Sequence, residues 1–217
     1  HASIAALKNS NRNIVNIFCT QLVFDKYINE KIKITNSIKI VKNNELNILL
    51  ENKITHQGII VETKPLNYPI LDDVTDSNNI IIALDQVTDP QNVGAIIRTF
   101  NFFGGENLLI TKDHSSEING SLAKSASGAL ESVNIIKVTN LSMALKKMRK
   151  KGFIIIGLDE NSHVMLNNSK DYINEKKVLV MGSEGKGLRR LTKENCDLLV
   201  SIANNNDSDF NTLNVSV

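Results

Sequence analysis

The chain has 217 residues, which allows one large domain or two small ones with room for a buried core. Hydrophobic residues make up 41% and charged residues 22% of it, so the composition fits neither a disordered nor a fibrous protein. The net charge is only +2: residues 1–73 carry 9 Lys and Arg against 7 Asp and Glu, and residues 74–217 carry 16 of each. The chain therefore has no strongly basic tail, which is the feature that would indicate a nucleic-acid binder from charge alone.

The cysteines and the hydropathy pattern exclude further classes. Cys19 and Cys196 lie far apart without metal-ligand spacing, so we expect buried thiols in a reducing compartment, the cytoplasm, and no bound metal. No run of about 18 apolar residues and no basic-then-apolar leader occurs, which argues against a membrane partner and a signal peptide. The chain starts at His1 without Met, so we expect that an upstream segment is missing.

The first third of the chain alternates predicted helices and short strands. Clustered Pro65 and Pro69 and a polar run over residues 72–79 follow it, so we predict a first domain over residues 1–67 and a linker over 68–79. The predicted helices cover residues 2–9, residues 21–29 and a segment that Asn43 can cap; the predicted strands are 14–18, 37–41 and 58–62.

From residue 80 onward, the predicted strands are apolar on consecutive residues and alternate with longer helices. Such runs are typical of strands buried on both faces, so we predict an α/β domain over residues 80–217 with a parallel sheet between helices. Two amphipathic helices surround residues 93–100 and 141–148, and the basic run 146–151 ends the second one as a solvated helix terminus. The predicted strands are 80–84, 108–110, 133–138, 153–158, 178–181 and 198–202.

The glycine pattern argues against common nucleotide-binding motifs. Gly182, Gly185 and Gly187 follow a predicted strand in the order GxxGxG, which is not the GxGxxG of dinucleotide-binding proteins. Leu188 and Arg189 stand where a P-loop needs Lys and Ser or Thr, so neither the phosphate-binding lysine nor the magnesium-binding hydroxyl is supplied.

Three unusual segments each begin where a predicted parallel strand ends. They are residues 85–94, followed by Arg98; residues 182–187, with Glu184; and residues 201–216, which end in Thr212-Leu-Asn-Val-Ser. Turn chemistry explains any one of them alone, and Asn92 can serve merely as a helix cap. Because ligands bind at the carboxyl ends of the strands in open α/β sheets, three convergent segments favour a site.

Taken in order, Asn92-x-Gly-x-x-x-Arg98, Gly182-x-Glu-Gly-x-Gly187 and Leu213-Asn-Val-Ser216 resemble the three motifs of the SpoU/TrmH branch of the SPOUT methyltransferases. The resemblance implies a catalytic domain with a C-terminal trefoil knot and an N-terminal domain similar to ribosomal protein L30e. His1 to Leu7 and His56-Gln-Gly58 resemble that domain in enzymes that methylate a guanosine ribose in large-subunit ribosomal RNA.

The same resemblance implies roles for individual residues. Arg98 is the expected central catalytic residue, and Asn92, Glu184, Thr212 and Asn214 are expected to hold it and the ribose in place. S-adenosylmethionine is the implied cofactor, with Gly182, Gly187, Ile202 and Leu213 as its binding residues; structured RNA and a second copy of the chain are the implied partners.

The expected chemistry is the attack of a 2′-hydroxyl on a methyl group carried by a sulfonium, for which alignment is the main requirement. A guanidinium does not lose its proton in a protein. Our hypothesis is therefore that Arg98 binds a phosphate next to the target ribose and that Glu184 fixes the guanidinium.

Departures from the family pattern leave alternatives open. Ala203 and Asn204 stand where relatives usually carry Pro and Met, and the loop that follows is longer, so we expect a looser cofactor loop with weak or RNA-dependent binding. The chain ends at Val217, where the family's final helix is expected to begin. A tRNA guanosine or an rRNA adenosine stays possible as substrate, as does an RNA-binding assembly factor with a weakened catalytic half; an NAD-dependent oxidoreductase is a distant third.

Overall fold

The computed structural model describes residues 1–29, 32, 37–51, 55–74, 80–166, 175–202 and 214–216. The chain divides into two compact units. The first comprises His1–Asn67 together with Ser127–Glu131, and the second comprises Tyr68–Ala126 and Ser132–Val217. Residues 127–131, which the sequence analysis assigns to the second domain, therefore pack with the first.

The first unit is a three-stranded sheet with short helices. Strand order is β2-β1-β3, with β1 parallel to β2 and antiparallel to β3. Cys19, Val23 and Ile28 form its buried core, which confirms the predicted burial of the first thiol. The elements are α1 (Ala2–Lys8), β1 (Ile14–Cys19), α2 (Gln21–Val23), β2 (Ile38–Ile40), α3 (Asn43–Leu49) and β3 (Ile59–Thr63).

Two helices of this unit differ from the prediction. The helix predicted over residues 21–29 is α-helical only to Val23 and continues as a π-helical turn over Phe24–Ile28. Asn43 is the first residue of α3 and not its cap; Lys42 holds the cap position, where its backbone N–H donates to the Glu45 carboxylate at 3.2 Å. Glutamate three residues into a helix satisfies the free N–H at its start, so it can replace an asparagine cap.

A buried ion pair anchors residues 127–131 to the first unit. Arg12 donates to Glu131 through Nε at 3.0 Å and through a terminal nitrogen at 2.5 Å, and Asn9 donates to the same carboxylate at 2.7 Å. The two charged side chains are only 7% and 10% exposed. Gly128 lies against Ala5 with φ +98, where a Cβ would come within 2.9 Å of the Ala5 side chain.

The second unit is a six-stranded sheet in the order β6-β5-β4-β8-β7-β9, and every pairing in it is parallel. This arrangement confirms the predicted parallel α/β sheet. Its elements are β4 (Ile80–Asp85), α4 (Pro90–Phe102), β5 (Asn107–Thr111), α5 (Gly120–Ser125), β6 (Asn134–Val138), α6 (Leu141–Lys150), β7 (Ile154–Leu158), β8 (Lys177–Gly182), α7 (Arg190–Glu194) and β9 (Leu198–Val200).

Helices cover the sheet because its central strands carry apolar side chains in both directions. Ile81, Ala83, Val178 and Val180 belong to one core cluster together with the buried face of α6. Ile82 projects the other way and lies beside α4. A strand apolar on both faces must be covered on both, which fixes the layers of the unit.

The basic end of α6 contacts its own domain. Lys147 pairs with Asp72, Arg149 donates from Nε to Asp197 at 2.8 Å, and Lys151 Nζ donates to the carbonyls of Asp72 and Val74 at 2.9 and 2.8 Å. The pKa of Asp72 lies below its ordinary value because Lys147 donates a hydrogen bond to it. These contacts tie the segment before β4 to α6.

The ion pair between Arg12 and Glu131 gives a stability prediction. Glu131→Ala leaves a buried guanidinium without its partner, so we expect the free energy of unfolding of the first unit to fall by about 3–5 kcal/mol. Urea unfolding monitored by circular dichroism measures the change. Glu194→Ala is the matched control, because the Arg190–Glu194 pair is 80% and 51% exposed and such pairs contribute about 0.5 kcal/mol. Equal losses in the two variants would contradict the assignment of residues 127–131 to the first unit.

Candidate active site

The candidate site lies where β4 and β8 end. In the parallel register Asp85 is the partner of Gly182, so the segments that follow the two strands leave the sheet side by side. The first leads into α4 and the second contains Glu184. Carboxyl ends of neighbouring parallel strands form the usual ligand-binding edge of an open α/β sheet.

One carboxylate oxygen joins the three sequence motifs. Glu184 Oε1 accepts a hydrogen bond from Asn92 Nδ2 at 2.9 Å and another from Asn214 Nδ2 at 2.5 Å. Asn214 is itself held by Ser216, whose backbone N–H and hydroxyl both donate to Asn214 Oδ1. Because its oxygen accepts from Ser216, the amide nitrogen of Asn214 is left to face Glu184.

The start of α4 leaves Asn92 free for this contact. Asp89 is the helix cap and accepts from the Gln91 N–H at 3.0 Å, and Pro90 occupies the first helical position. Proline suits that position because the N–H it lacks would have no helical partner there. Asn92 is therefore not the cap, and its amide reaches across to the β8 segment.

Gly94 fixes the distance between α4 and α5. A Cβ at this position would lie 2.5 Å from the Ser125 Cβ and 2.7 Å from the Leu122 carbonyl oxygen, so no larger residue fits without moving α5. The Ser125 hydroxyl also donates to the Gln91 carbonyl at 2.8 Å. The glycine of the first motif is thus a packing requirement, which the sequence did not reveal.

Glycines also shape the segment after β8. A Cβ on Gly182 would come within 2.2 to 2.5 Å of the backbone of Gly187 and Leu188. Gly185 and Gly187 have φ +77 and +61, the left-handed region that favours glycine, and the Gly187 N–H donates to the Ser183 carbonyl at 2.9 Å. The segment therefore folds back on Gly182 as a tight turn, and Gly185 and Gly187 have open space beside their backbone.

Arg98 lies on the exposed side of α4, one helical turn after Gly94. The described residues give it no hydrogen bond or ion pair, so the expected contact between Glu184 and Arg98 is not formed among them. The side-chain amides of Asn92 and Asn214 donate to Glu184 Oε1 instead. Arg98 lies six positions after Asn92 in α4, a rise of about 9 Å along the helix axis, so the two side chains leave the helix well apart from each other.

The remaining predicted residues are distributed as follows. Ile202 follows β9 and is 50% exposed, consistent with a surface that a ligand can cover. Thr212 and Leu213 lie outside the described residues, as do Ala203 and Asn204 of the altered third motif.

In the described residues, no group of three or more His, Cys, Asp or Glu side chains could hold a metal ion, and no helix is long and apolar enough to cross a membrane. Burial raises the pKa of Cys196 to about 12, with the nearby Asp197 carboxylate adding to the effect, so this thiol is protonated at neutral pH.

Comparison with known proteins gives two family matches. A sequence profile of the SpoU rRNA Methylase family matches residues 79–217. A second profile, RNA 2′-O ribose methyltransferase substrate binding, matches residues 1–69.

Individual relatives agree with these profiles. The chain is 34% identical to the 23S rRNA (guanosine-2′-O-)-methyltransferase RlmB of Ralstonia nicotianae over 100% of its own length and 88% of that protein. It is 40% identical to the protein of the same name from Blochmanniella floridana over 69% of this chain, a match that spans 61% of that relative.

Solved structures share the fold. The SpoU methyltransferase AviRb of Streptomyces viridochromogenes, in complex with AdoMet, superposes with a TM-score of 0.79 at 18% identity, covering 100% of this chain and 83% of that one. An AdoMet-bound rRNA methyltransferase of Sinorhizobium meliloti superposes with a TM-score of 0.79 at 19% identity, covering 99% and 79%.

The contact at Gly94 gives a prediction for the site. Gly94→Ala adds a methyl group against α5, so we expect a loss of about 1–3 kcal/mol of unfolding free energy, although Ala favours an α-helix over Gly. Thermal or urea unfolding measures it. Gln91→Ala, on the exposed start of the same helix, is the control and should change stability by less than about 0.5 kcal/mol. A stabilised Gly94→Ala protein would rule out the close packing of α4 on α5.

Proposed function

Because this chain belongs to the SpoU rRNA methylase family, we propose that it transfers a methyl group from S-adenosylmethionine to the 2′-hydroxyl of a guanosine ribose in large-subunit ribosomal RNA. The observation that carries this proposal is the Glu184 oxygen that accepts from both Asn92 and Asn214. It joins all three motifs of the resemblance at one point of the sheet edge. A decayed RNA-binding factor has no need to retain that junction.

The residues around the β8 turn suit a cofactor with an adenosine group. Gly182 lacks the Cβ that would block its close approach to the neighbouring backbone, and open space lies beside the backbone of Gly187. An exposed apolar side chain, Ile202, follows β9, which β7 separates from β8 in the sheet. We assign S-adenosylmethionine to Gly182, Gly187 and Ile202, together with Leu213, through backbone polar groups and apolar enclosure.

When bound, the cofactor supplies an electrophilic methyl group on a sulfonium that is a good leaving group. The protein then has to hold the ribose oxygen in line and to exclude competing water. Glu184 keeps Asn92 and Asn214 in fixed orientations, each through its amide nitrogen, which leaves the Asn92 amide oxygen as an acceptor toward the ribose. Thr212, next to Asn214 in the chain, is proposed to add a hydroxyl contact.

Arg98 is the proposed RNA-contacting cation. It is exposed and free of protein partners among the described residues, as a side chain that awaits a phosphate should be. Its planar fork can bind two phosphate oxygens at once, which places the adjoining ribose more firmly than a single ammonium can. The other two arginines near the site form ion pairs within the protein, Arg189 with Asp85 and Arg190 with Glu194.

We assign residues 1–67 to RNA binding, as an L30e-like domain, and residues 68–79 to a linker. The profile match over residues 1–69 supports this division. The modest charge of the chain favours a structured RNA that is recognised by its shape and 2′-hydroxyl groups. The trefoil knot would involve residues 203–213, outside the described part of the chain, and rests on the family resemblance.

A homodimer through the methyltransferase domain is supported by an apolar groove of about 610 Å³ beside α4. Ile80, Ile96, Phe100 and Phe103 line it. Phe103 and the neighbouring Phe102 are 79% and 83% exposed. Two adjacent exposed phenylalanines are unusual on a surface that remains in contact with water, and they favour an interface.

Analytical ultracentrifugation measures the mass of the assembly, and a monomer at micromolar concentration would contradict the dimer.

Transfer of a labelled methyl group to total RNA, followed by nucleoside analysis, tests the function. We expect 2′-O-methylguanosine in large-subunit rRNA; label in tRNA or in adenosine would assign the chain to another substrate of the same family. No label, together with RNA binding, would favour an assembly factor.

Because the third motif is altered, calorimetry with S-adenosylhomocysteine should detect weaker binding without RNA than with it.

Variants at Glu184 test the observation that carries the proposal. Glu184→Gln keeps an oxygen that accepts from both asparagines, so we expect it to retain activity within about tenfold of wild type, whereas Glu184→Ala should lose about a hundredfold. Initial rates of methyl transfer at saturating cofactor measure both. Equal losses in the two variants would mean that the charge of Glu184, and not its acceptor geometry, is required.

Variants at Arg98 separate charge from shape. Both Arg98→Ala and Arg98→Lys should lower methyl transfer by about a hundredfold, because lysine keeps the charge but not the fork. Arg190→Ala, which removes an exposed arginine paired with Glu194, is the control and should stay near wild type. High activity in Arg98→Lys would refute the two-point phosphate contact.

A further inference from the structure

Asp85 is a fully buried carboxylate that the motifs leave without a role. It is the last residue of β4 and has no solvent exposure. A buried charge is costly unless it is paired and fully hydrogen-bonded, so its presence at the site edge needs an explanation.

Both of its oxygens are taken up by one residue. Asp85 Oδ2 accepts from the Arg189 backbone N–H at 2.9 Å, and Oδ1 accepts from Arg189 Nε at 2.7 Å. The backbone contact fixes the position of the chain at Arg189, and the side-chain contact neutralises the carboxylate. Arg189 immediately precedes α7.

The same aspartate also adjoins the start of the β8 segment. Its register partner in the sheet is Gly182, and Arg189 lies at the segment's other end. Between these ends, the Gly187 N–H donates to the Ser183 carbonyl. Residues 182–189 therefore form a closed loop whose two ends are both fixed on Asp85.

We propose that Asp85 is a positioning residue that holds the loop over residues 182–189 closed, so that Gly182 and Gly187 keep the cofactor site open and Glu184 stays within reach of both asparagines. The inference rests on the proposed methyltransferase function. Asp85 acts through the loop: its side chain is fully buried and needs no contact with substrate or cofactor.

Asp85→Asn tests this role with little change in volume. The asparagine oxygen can still accept from the Arg189 N–H, but its amide nitrogen then faces the guanidinium, donor against donor. We expect the KM for S-adenosylmethionine to rise about tenfold to a hundredfold, with total ribosomal RNA as the acceptor, while the KM for RNA stays within about twofold. Amide hydrogen exchange over residues 183–188 should accelerate in the same variant.

The matched control is Asp197→Asn. Asp197 also accepts from a backbone N–H, that of Ile155, and from an arginine Nε, that of Arg149, but it lies before β9, at the opposite edge of the sheet from the three motif segments. It should leave both KM values unchanged. Arg189→Ala should reproduce the effect of Asp85→Asn, and the double variant should be no worse than either, because all three remove one contact.

The possible results are distinguishable. An active wild-type protein whose Asp85→Asn variant melts earlier but keeps its KM for the cofactor and its exchange rates would overturn the positioning role alone. A wild-type chain that neither binds S-adenosylhomocysteine nor methylates RNA would overturn the proposed function, whereas hydrogen exchange in Asp85→Asn would still test separately whether Asp85 closes the loop.

Discussion

The parallel pairing of β4 with β8 is the constraint on which the rest of the second unit depends. It runs over six residue pairs, from Ile80 and Lys177 to Asp85 and Gly182, and joins segments that are distant in the chain. Ile81 and Val178 are fully buried within it. Because both faces of these strands are apolar and covered, the register is set by the close packing of side chains of different size against the helices.

That register decides where the chemistry lies. With Asp85 beside Gly182, the turn after β8 emerges next to the start of α4, and Glu184 comes within hydrogen-bond reach of Asn92. Asn214, near the end of the chain, completes the junction. The hydrogen bonds orient the asparagines, but the sheet has already placed the segments that carry them, so the site is held by a rigid element and not by its own polar contacts alone.

Much of this architecture could be predicted because its signals are local. Runs such as residues 80–84 and 178–181 indicate buried parallel strands from consecutive apolar residues alone. Helix starts were harder: Asp89, and not Asn92, caps α4, and Lys42 replaces Asn43 at α3. Several residue types can precede a helix and satisfy the free N–H groups of its first turn, so the sequence pattern alone does not fix which residue holds the cap position.

The side-chain partners were not predictable, since charge and periodicity do not encode them. The basic end of α6 is typical of a solvated helix terminus, yet Arg149 pairs with Asp197 and Lys151 binds carbonyls before β4. Arg98, by contrast, was expected to bind Glu184 and has no protein partner among the described residues. Which cation is engaged and which is free depends on segments that only the folded chain brings together.

The sequence by itself determined the alternation of helices and strands, the parallel character of the sheet and the identity of the three motifs. These follow from apolar periodicity and residue order, which act over a few neighbours. Only the tertiary structure decided that Glu184 joins the motifs through two amides, that Gly94 and Gly182 are packing requirements, that Asp85 closes a loop, and that residues 127–131 pack with the first unit. Each is a contact between residues far apart in the chain, set by strand register and close packing, and no local pattern carries that information.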